Sequence, residues 1–399
     1  MHILMIAPEP FFEPRGTPFS EFHRIRALTS LGHTIDLVTY PFGRDVSMPG
    51  LTIHRCLRPP FVSRVRIGPS WAKVPLDAAI ALTACRLALT RKYDAVHSHE
   101  EGGAIGVVLS WFLRKPHLYD MHSSLPQQVS NFGYRGGGWL ARVLGWVERI
   151  MIRRSRVVIV ICADLETTVR EVDPTVPAVL IENAPGSGDR PSAGTGEAIR
   201  ASLGIATTAP VVLYTGTFEA YQGLDLLYRS MVVVRRARPD AKLLMVGGEP
   251  AQVDAARATT AGLGLGDAVI FTGQRPAEEV PAYLDAATLL VSPRSTGTNT
   301  PLKIYQYLRS GRPIVATRLR THTQVLDDET SILAEPTPEA FGAAIVRALE
   351  EPARAAEIGR RAQALAESKY SDEAFIAKTE LAYGVLTGAR RPEVARGVA

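Results

Sequence analysis

The sequence predicts an α/β protein built from two Rossmann-like, doubly wound domains, and three observations carry that prediction. Short apolar runs rich in β-branched residues alternate with amphipathic helical patterns, and the alternation occurs twice along the chain. The 399 residues exceed what one ordinary core holds and suit two domains. The longest Gly/Pro/Ser stretch, residues 185–194, falls near the middle. The expected organisation is a first domain over 1–187, a second over 188–370, and a C-terminal helix with a frayed tail over 371–399 that packs back on the first domain.

The first half offers strands at Ile3–Ala7, Thr34–Thr39, Ala95–His97, His117–Met121, Val157–Ile161 and Ala178–Ile181. The second offers Val211–Thr215, Lys242–Val246, Ala268–Thr272, Leu289–Ser292, Ile314–Ala316 and Ser331–Ala334. Helical patterns lie between or after them, such as Leu224–Arg238 and Pro338–Leu349. In the segment 138–154, the run Leu140, Val143, Leu144, Val147 and Met151 has helical spacing and reads as a core face, with Trp139 and Trp146 outside it. The glycines Gly262, Gly264 and Gly266 follow a helix and precede a strand. A dinucleotide fingerprint needs the reverse order, so they read as a helix cap and turn.

Composition narrows the class. Hydrophobic residues make up 46% and charged residues 21%, so disorder is not expected. Cys56, Cys85 and Cys162 show no metal or disulfide spacing, which points to a reducing, cytoplasmic setting. The apolar N-terminus ends at Pro8 after a few residues and reads as a buried strand, and the apolar helix near Leu76–Leu89 is too short to span a bilayer. Residues 1–187 carry 21 Lys/Arg against 16 Asp/Glu, so the whole net charge of +5 sits there. The stretch 55–73 holds Arg55, Arg58, Arg64, Arg66 and Lys73 with no acid, among Phe61, Ile67 and Trp71. Such a patch suits an anionic membrane surface or a phosphate-bearing acceptor; a solvated loop is the plainer reading.

Each half has a clear helix start after a strand. Strand Ile3–Ala7 leads through Arg15, Gly16 and Thr17 to Pro18 and a helix over Phe19–Leu31. Strand Leu289–Ser292 leads through Arg294, Gly297, Thr298, Asn299 and Thr300 to Pro301 and a helix over Leu302–Ser310. Thr17 and Thr300 suit N-caps, and Pro18 and Pro301 suit the first helical position. Free amides and the positive dipole end favour an anion there, and Arg294 and Lys303 add full charges to the second start. A diphosphate site is the expected use.

These residues resemble those of the family 4 glycosyltransferases, a retaining group on the GT-B fold, and the resemblance spans nearly the whole chain. Gly216 to Leu227, with Gln222-Gly223-Leu224-Asp225, resembles the family's glycine loop and the element after it. Val246-Gly247-Gly248 and Phe271-Thr272-Gly273 match its next strand ends. Thr300 to Thr317 resembles its donor helix and following strand. In the first half, Arg15-Gly16-Thr17, Leu31-Gly32-His33, His97-Ser98-His99, Tyr119 to His122 and Ile181-Glu182-Asn183 fall at matching places. Four positions depart from the pattern. The family's two glutamates are replaced by Thr298 and Gln306, and its Arg and Lys near the glycine loop by Thr217 and Gln222.

The resemblance implies two domains facing across a cleft, the first binding the acceptor and the second the nucleotide-sugar. It implies sugar transfer with retention and without metal or other cofactor, to a lipid-linked, polysaccharide or small-molecule acceptor. The sequence has no Asp-x-Asp, so the leaving diphosphate falls to amides and fixed cations. The implied donor residues are Gly16, Thr17, Gly216, Thr217, Gln222, Gly273, Arg294, Gly297, Thr298, Asn299, Thr300, Lys303 and Gln306. His122, at a strand end, is expected beside the sugar and is the catalytic candidate together with Lys303. His97 and His99 read as core residues, and Glu100-Glu101 as an acceptor contact or a solvated loop. Expected partners are the nucleotide-sugar, an acceptor and an anionic membrane at the inner face, without nucleic acid. The competing reading is a catalytically decayed nucleotide-sugar-binding or scaffold protein, motivated by the missing glutamates. An epimerase on the same architecture lacks paired carboxylates as bases.

Overall fold

The structure is a computed structural model, and it describes residues 1–12, 16–62, 73–126, 138–182, 194–297 and 299–390, with backbone only at 16, 17, 19 and 140. The chain separates into two units, Met1–Asn183 with Asp372–Ala399, and Ala184–Ser371. Most of the Gly/Pro/Ser stretch at 185–194 lies outside the described residues.

The first unit is a seven-stranded parallel sheet in the order β3-β2-β1-β4-β5-β6-β7. Its strands are β1 (His2–Ala7), β2 (Thr34–Thr39), β3 (Leu51–Arg55), β4 (Ala95–His99), β5 (His117–Met121), β6 (Val157–Val160) and β7 (Ala178–Leu180). Its helices are α1 (Gly16–Ser30), α2 (Lys73–Thr90), α3 (Gly102–Leu113), α4 (Gly138–Arg154) and α5 (Ala163–Val172). Strand order reverses at β1, so right-handed crossovers send α1 to one face of the sheet and α2, α3 and α4 to the other. Residues Ile3–Ala7 and Ala95–His99 are wholly buried, as a parallel sheet covered on both faces requires. The C-terminal helix Asp372–Thr387 packs against α1, β6 and β7.

The second unit repeats the design with a six-stranded parallel sheet, β10-β9-β8-β11-β12-β13. Its strands are β8 (Val211–Thr215), β9 (Lys242–Val246), β10 (Val269–Gly273), β11 (Leu289–Ser292), β12 (Ile314–Thr317) and β13 (Ile332–Ala334). Around it lie α6 (Thr195–Ser202), α7 (Leu224–Ala237), α8 (Pro250–Gly262), α9 (Val280–Ala286), α10 (Lys303–Ser310), α11 (Arg320–Thr323), α12 (Pro338–Glu350) and α13 (Pro352–Lys369). Val212, Val291 and Val315 face Leu227, Met231, Phe341 and Ile345 in one core; Leu213, Leu290 and Ile314 face Ile304, Tyr307 and Leu308 in the other. Each sheet has one topological switch point, between β1 and β4 and between β8 and β11. Loops leaving the carboxyl ends there are where open α/β sheets bind ligands.

Several expectations change. The helix after β1 begins at Gly16, not Phe19, so Thr17 lies inside it and does not cap it. Pro18 is accommodated because first-turn N–H groups have no intrahelical acceptor. The helix after β11 begins at Lys303, with Leu302 as its cap residue in helical geometry and no side-chain cap bond. Ile304 N–H donates to Pro301 O, a tighter i to i+3 contact that displaces Thr300 from capping. Strand β3 was not expected; it is a half-buried edge strand whose pattern is obscured by His54 and Arg55. On α4, Val143 is exposed and not part of the core face, while Met151 is fully buried.

The basic stretch after β3 also reads differently. Arg55 pairs with Asp45 at 2.7 Å, Arg58 stacks on Phe42 and donates to Val62 O, and Lys73 pairs with Glu101 at 2.6 Å. Acids from elsewhere in the chain meet Arg55 and Lys73, and a ring and a backbone carbonyl meet Arg58, so those three side chains are engaged within the unit. Arg64, Arg66, Ile67 and Trp71 lie outside the described residues.

Candidate functional site

In the second unit the functional side chains gather where β8 and β11 end. Arg294 follows β11 and is folded into its own loop. Its Nε donates to Thr296 O at 2.9 Å, its Nη1 to Asn299 O at 3.0 Å, and its guanidinium lies over the Tyr221 ring. Gly297, at φ 109°, is required: a Cβ there would stand 2.6 Å from Arg294 Nη2. Asn299 O also accepts from Thr321 Oγ1, and Thr317 Oγ1 donates to Arg294 O. His322 braces the floor between Ser292 and Thr317, and burial drives it down to about 3, so it is neutral.

Lys303 opens α10 and reaches back over β8. Its Nζ lies 3.8 Å above the Tyr214 ring and has no hydrogen-bond partner among the described residues, although the side chain is only 8% exposed. Gly216, at φ 137°, leaves the space in front of it; a Cβ there would stand 3.4 Å from Nζ. Burial, reinforced by Arg294, pushes the Lys303 ammonium well below the ordinary lysine range. Arg294 is lowered as well, again by burial first. No carboxylate pairs with either cation among the described residues. Thr300 Oγ1 and Gln222 Oε1 are likewise buried without partners. One buried cation, Lys303, one half-buried cation, Arg294, and two unsatisfied polar groups make a site that suits an anion.

Placement of the other expected donor residues is mixed. Thr217 lies beside the cations, its carbonyl accepting from Tyr214 Oη at 2.7 Å. Gln306 is half-buried on α10, one turn beyond Lys303. Gly273 ends β10, two strands from β8, and its carbonyl accepts from the Gly247 N–H. Thr298 and the Thr17 side chain fall outside what is described. Gly16 is the first residue of α1, in the first unit.

In the first unit, His122 follows β5 and is 5% exposed. Its Nε2 is 3.3 Å from Asp120 Oδ1 and 3.1 Å from His99 Nδ1. Asp120, wholly buried, accepts from Arg24 Nε at 3.0 Å and lies 3.5 Å from His97 Nε2. Arg24 comes from α1 and is tied to the C-terminal helix through Thr379 and the face of Phe375. His97 Nδ1 bonds Tyr383 Oη of the same helix. Burial would raise Asp120, but Arg24 and the facing histidines more than reverse it, so the carboxylate is held well below its usual range. Burial lowers all three histidines. His97, His99 and Asp120 could in principle converge on a metal ion. The Arg24 guanidinium already faces that carboxylate, and a second cation beside it would be repelled, so the cluster fits a positioning network for His122.

Sequence reasoning missed Arg24, Asp120, Glu9, Glu21, Tyr214 and His322. The signal for α1 was readable: Glu21, Arg24 and Leu28 share one helical face, and charges on a core face mark a buried network. Glu9 and Glu21 bury their carboxyls together near the carboxyl end of β1. Burial raises Glu21 to about 8 and Glu9 well above its usual range. A carboxyl raised in the fold gives up stability as pH climbs from the ordinary glutamate range to that raised value. Glu21→Gln is therefore expected to flatten the loss of thermal stability from about pH 5 to pH 8; an unchanged slope would remove the pair from this account.

Residues 23–184 match the glycosyl transferase 4-like domain, and residues 209–351 match the model described as glycosyl transferases group 1. Among curated relatives, the α-D-kanosaminyltransferase of Streptomyces kanamyceticus is 26% identical over 317 residues, covering 76% of this chain and 79% of that protein. A D-inositol 3-phosphate glycosyltransferase of Acidothermus cellulolyticus is 25% identical over 370 residues, covering 85% and 79%. Among solved structures, the sucrose-phosphate synthase of Thermosynechococcus elongatus superposes with a TM-score of 0.80 at 22% identity, covering 98% of this chain and 100% of that one. The Anabaena protein Alr3699/HepE, solved with UDP-glucose, does so at 0.73 and 17% identity, covering 97% and 100%. Two matched domains of one family, the doubly wound sheets and the switch-point cations converge: the chain belongs to the family 4 glycosyltransferases and has the GT-B fold.

Proposed function

We propose that this protein transfers a glycosyl group, with retention, from a nucleoside-diphosphate sugar bound at Lys303 and Arg294. The observation that carries the reading is the buried Lys303 ammonium beside the half-buried Arg294, with no carboxylate against either among the described residues, set at the switch point of the second sheet beside the unsatisfied Thr300 and Gln222 groups. A diphosphate would neutralise both cations, and its charge grows as the glycosidic bond breaks, so the cations act most strongly on the transition state. Gln306, half-buried one turn beyond Lys303, is the residue proposed to meet the nucleoside, accepting from or donating to a hydroxyl. His122, backed by Asp120, is the residue proposed to orient the reacting sugar.

Fixed cations support transfer without a divalent metal. The expected result is undiminished turnover after exhaustive chelation; loss that Mg²⁺ or Mn²⁺ restores would overturn it. The acceptor belongs to the lipid-linked, polysaccharide or small-molecule class, and the name of one relative, a D-inositol 3-phosphate glycosyltransferase, carries a small phosphorylated compound. The three cysteines form no disulfide with one another, which supports a reducing compartment such as the cytoplasm. Thermal shift with a panel of nucleotides and nucleotide-sugars is the direct test, because a ligand stabilises by RT ln(1 + [L]/Kd). Nucleoside diphosphates should stabilise the second unit and matching nucleosides should not. Neutral residues at Gln306, Thr217 and Gln222 favour the second reading, a binder without catalysis. Donor binding with neither transfer nor donor hydrolysis would establish that reading.

A further inference from the structure

The helix layer α2-α3-α4 of the first unit turns the wrong chemistry outward for a surface that stays in water. Eleven large apolar side chains are exposed among the described residues; all belong to the first unit, and nine lie on these three helices. The exposed stripe of α3 is Ala104, Val108, Trp111 and Phe112, running on to Lys115, with Trp111 77% exposed. On α2 the stripe is Val74, Ala78, Leu82, Cys85, Arg86 and Leu89. On α4 it is Trp139, Arg142, Val143, Trp146, Arg149 and Arg153. These spacings of three and four residues place each set on one helix face. An ordinary surface helix carries its polar residues there. Helix α3 packs between α2 and α4, so the three stripes are neighbours in one layer.

Charge selects the occupant. The three helices contain two acids, and both are turned inward. Asp77 accepts from Tyr40 Oη, and Glu148 accepts from Ser124 Oγ and the Leu125 amide. What remains outward is apolar or cationic, with arginines alternating with tryptophans along α4. A second copy of the chain docking by the same face would set arginine against arginine with no acid to meet it. An anionic bilayer satisfies both components: apolar rings enter the headgroup–acyl boundary and the cations meet lipid phosphates. We infer that the outward face of α2, α3 and α4 is a docking surface for an anionic lipid bilayer. It sets membrane contact on the helix layer and not on the stretch 55–73, where Arg55 and Lys73 meet acids and Arg58 meets the Phe42 ring and Val62 O.

The test uses the full chain with vesicles of phosphatidylcholine alone or mixed with phosphatidylglycerol. The protein should sediment with the anionic vesicles, less so as salt rises, and its tryptophan emission should shift to the blue. Trp111→Ser with Phe112→Ser and Trp146→Ser should weaken partitioning on the order of tenfold or more. Lys115→Gln with Arg142→Gln and Arg149→Gln should weaken it roughly 100-fold, at about 1 kcal/mol per charge, and only on anionic vesicles. Unchanged nucleotide-induced thermal stabilisation reports that each variant is folded. No sedimentation of the parent with anionic vesicles overturns the inference. So does a dimer in light scattering that the Trp111 variant dissolves, because the face would then be a protein interface.

Discussion

Lys303→Met should lower kcat/KM by about two to three orders of magnitude while making the unliganded protein more stable. The two effects have one cause. The ammonium is buried over Tyr214 with Arg294 near and no carboxylate, so the free protein carries an uncompensated cation. Its pKa is depressed in the fold, so between that value and the ordinary lysine range the unfolded chain holds a proton that the native one lacks. Stability therefore rises with pH across this window, and below it the burial cost is borne in full. Methionine keeps much of the stem and removes the charge, which should add roughly 1–2 kcal/mol at neutral pH and abolish that pH slope. A bound diphosphate supplies the counter-ion and raises the lysine pKa, so within that pH window, and not below it, nucleotide binding by the parent should take up protons. Calorimetry in buffers of different ionisation heat measures the uptake, and Lys303→Met should lose it. If the variant turns over as fast as the parent, the diphosphate binds elsewhere. If it binds weakly and is also less stable, Lys303 holds the fold and is no site cation.

The sequence disclosed what periodicity and local chemistry encode. Wholly buried parallel strands such as Val211–Thr215 and Val157–Val160 announce themselves as uninterrupted apolar runs. Glycines and prolines mark the loops between, so the double alternation was legible. Lys303 and Arg294 were legible because both sit on one short segment beside a helix start. The details of that start were not: whether Thr300 caps α10 depends on the Arg294 loop and Leu302, which no local preference specifies. Asp120 and Arg24 are separated by 96 residues and meet only through the sheet. The same holds for Tyr383, whose link to His97 spans 286 residues. The apolar outward stripe of α3 was invisible for the opposite reason. In sequence it is indistinguishable from a core helix, and only the packing shows which side faces out.

His122→Ala should reduce kcat on the order of 100-fold with little change in nucleotide affinity, since Lys303 and Arg294, the cations proposed to hold the nucleotide, belong to the other unit. Near-native turnover would return His122 to a structural role. The network behind it gives a finer test that loss of a side chain alone cannot. Arg24 and Asp120 form a buried pair, and the guanidinium also lowers His122, adding to the larger effect of burial. His122 is thereby neutral down to a pH below the usual histidine range. If the neutral ring is the working form, turnover of the parent should hold through mildly acidic pH. Arg24→Met removes the lowering cation while leaving the Asp120 carboxylate in place, so the histidine should protonate at higher pH. The acid limb of kcat should move upward. The variant should also lose about 3–5 kcal/mol of stability, the usual cost of orphaning one member of a buried pair. Arg24→Lys keeps the charge without the donor geometry, so it should hold the acid limb near the parent's even if it is destabilised. A limb that moves equally in both variants would tie the effect to stability. A limb that moves in Arg24→Met alone ties it to the Arg24 charge acting on His122.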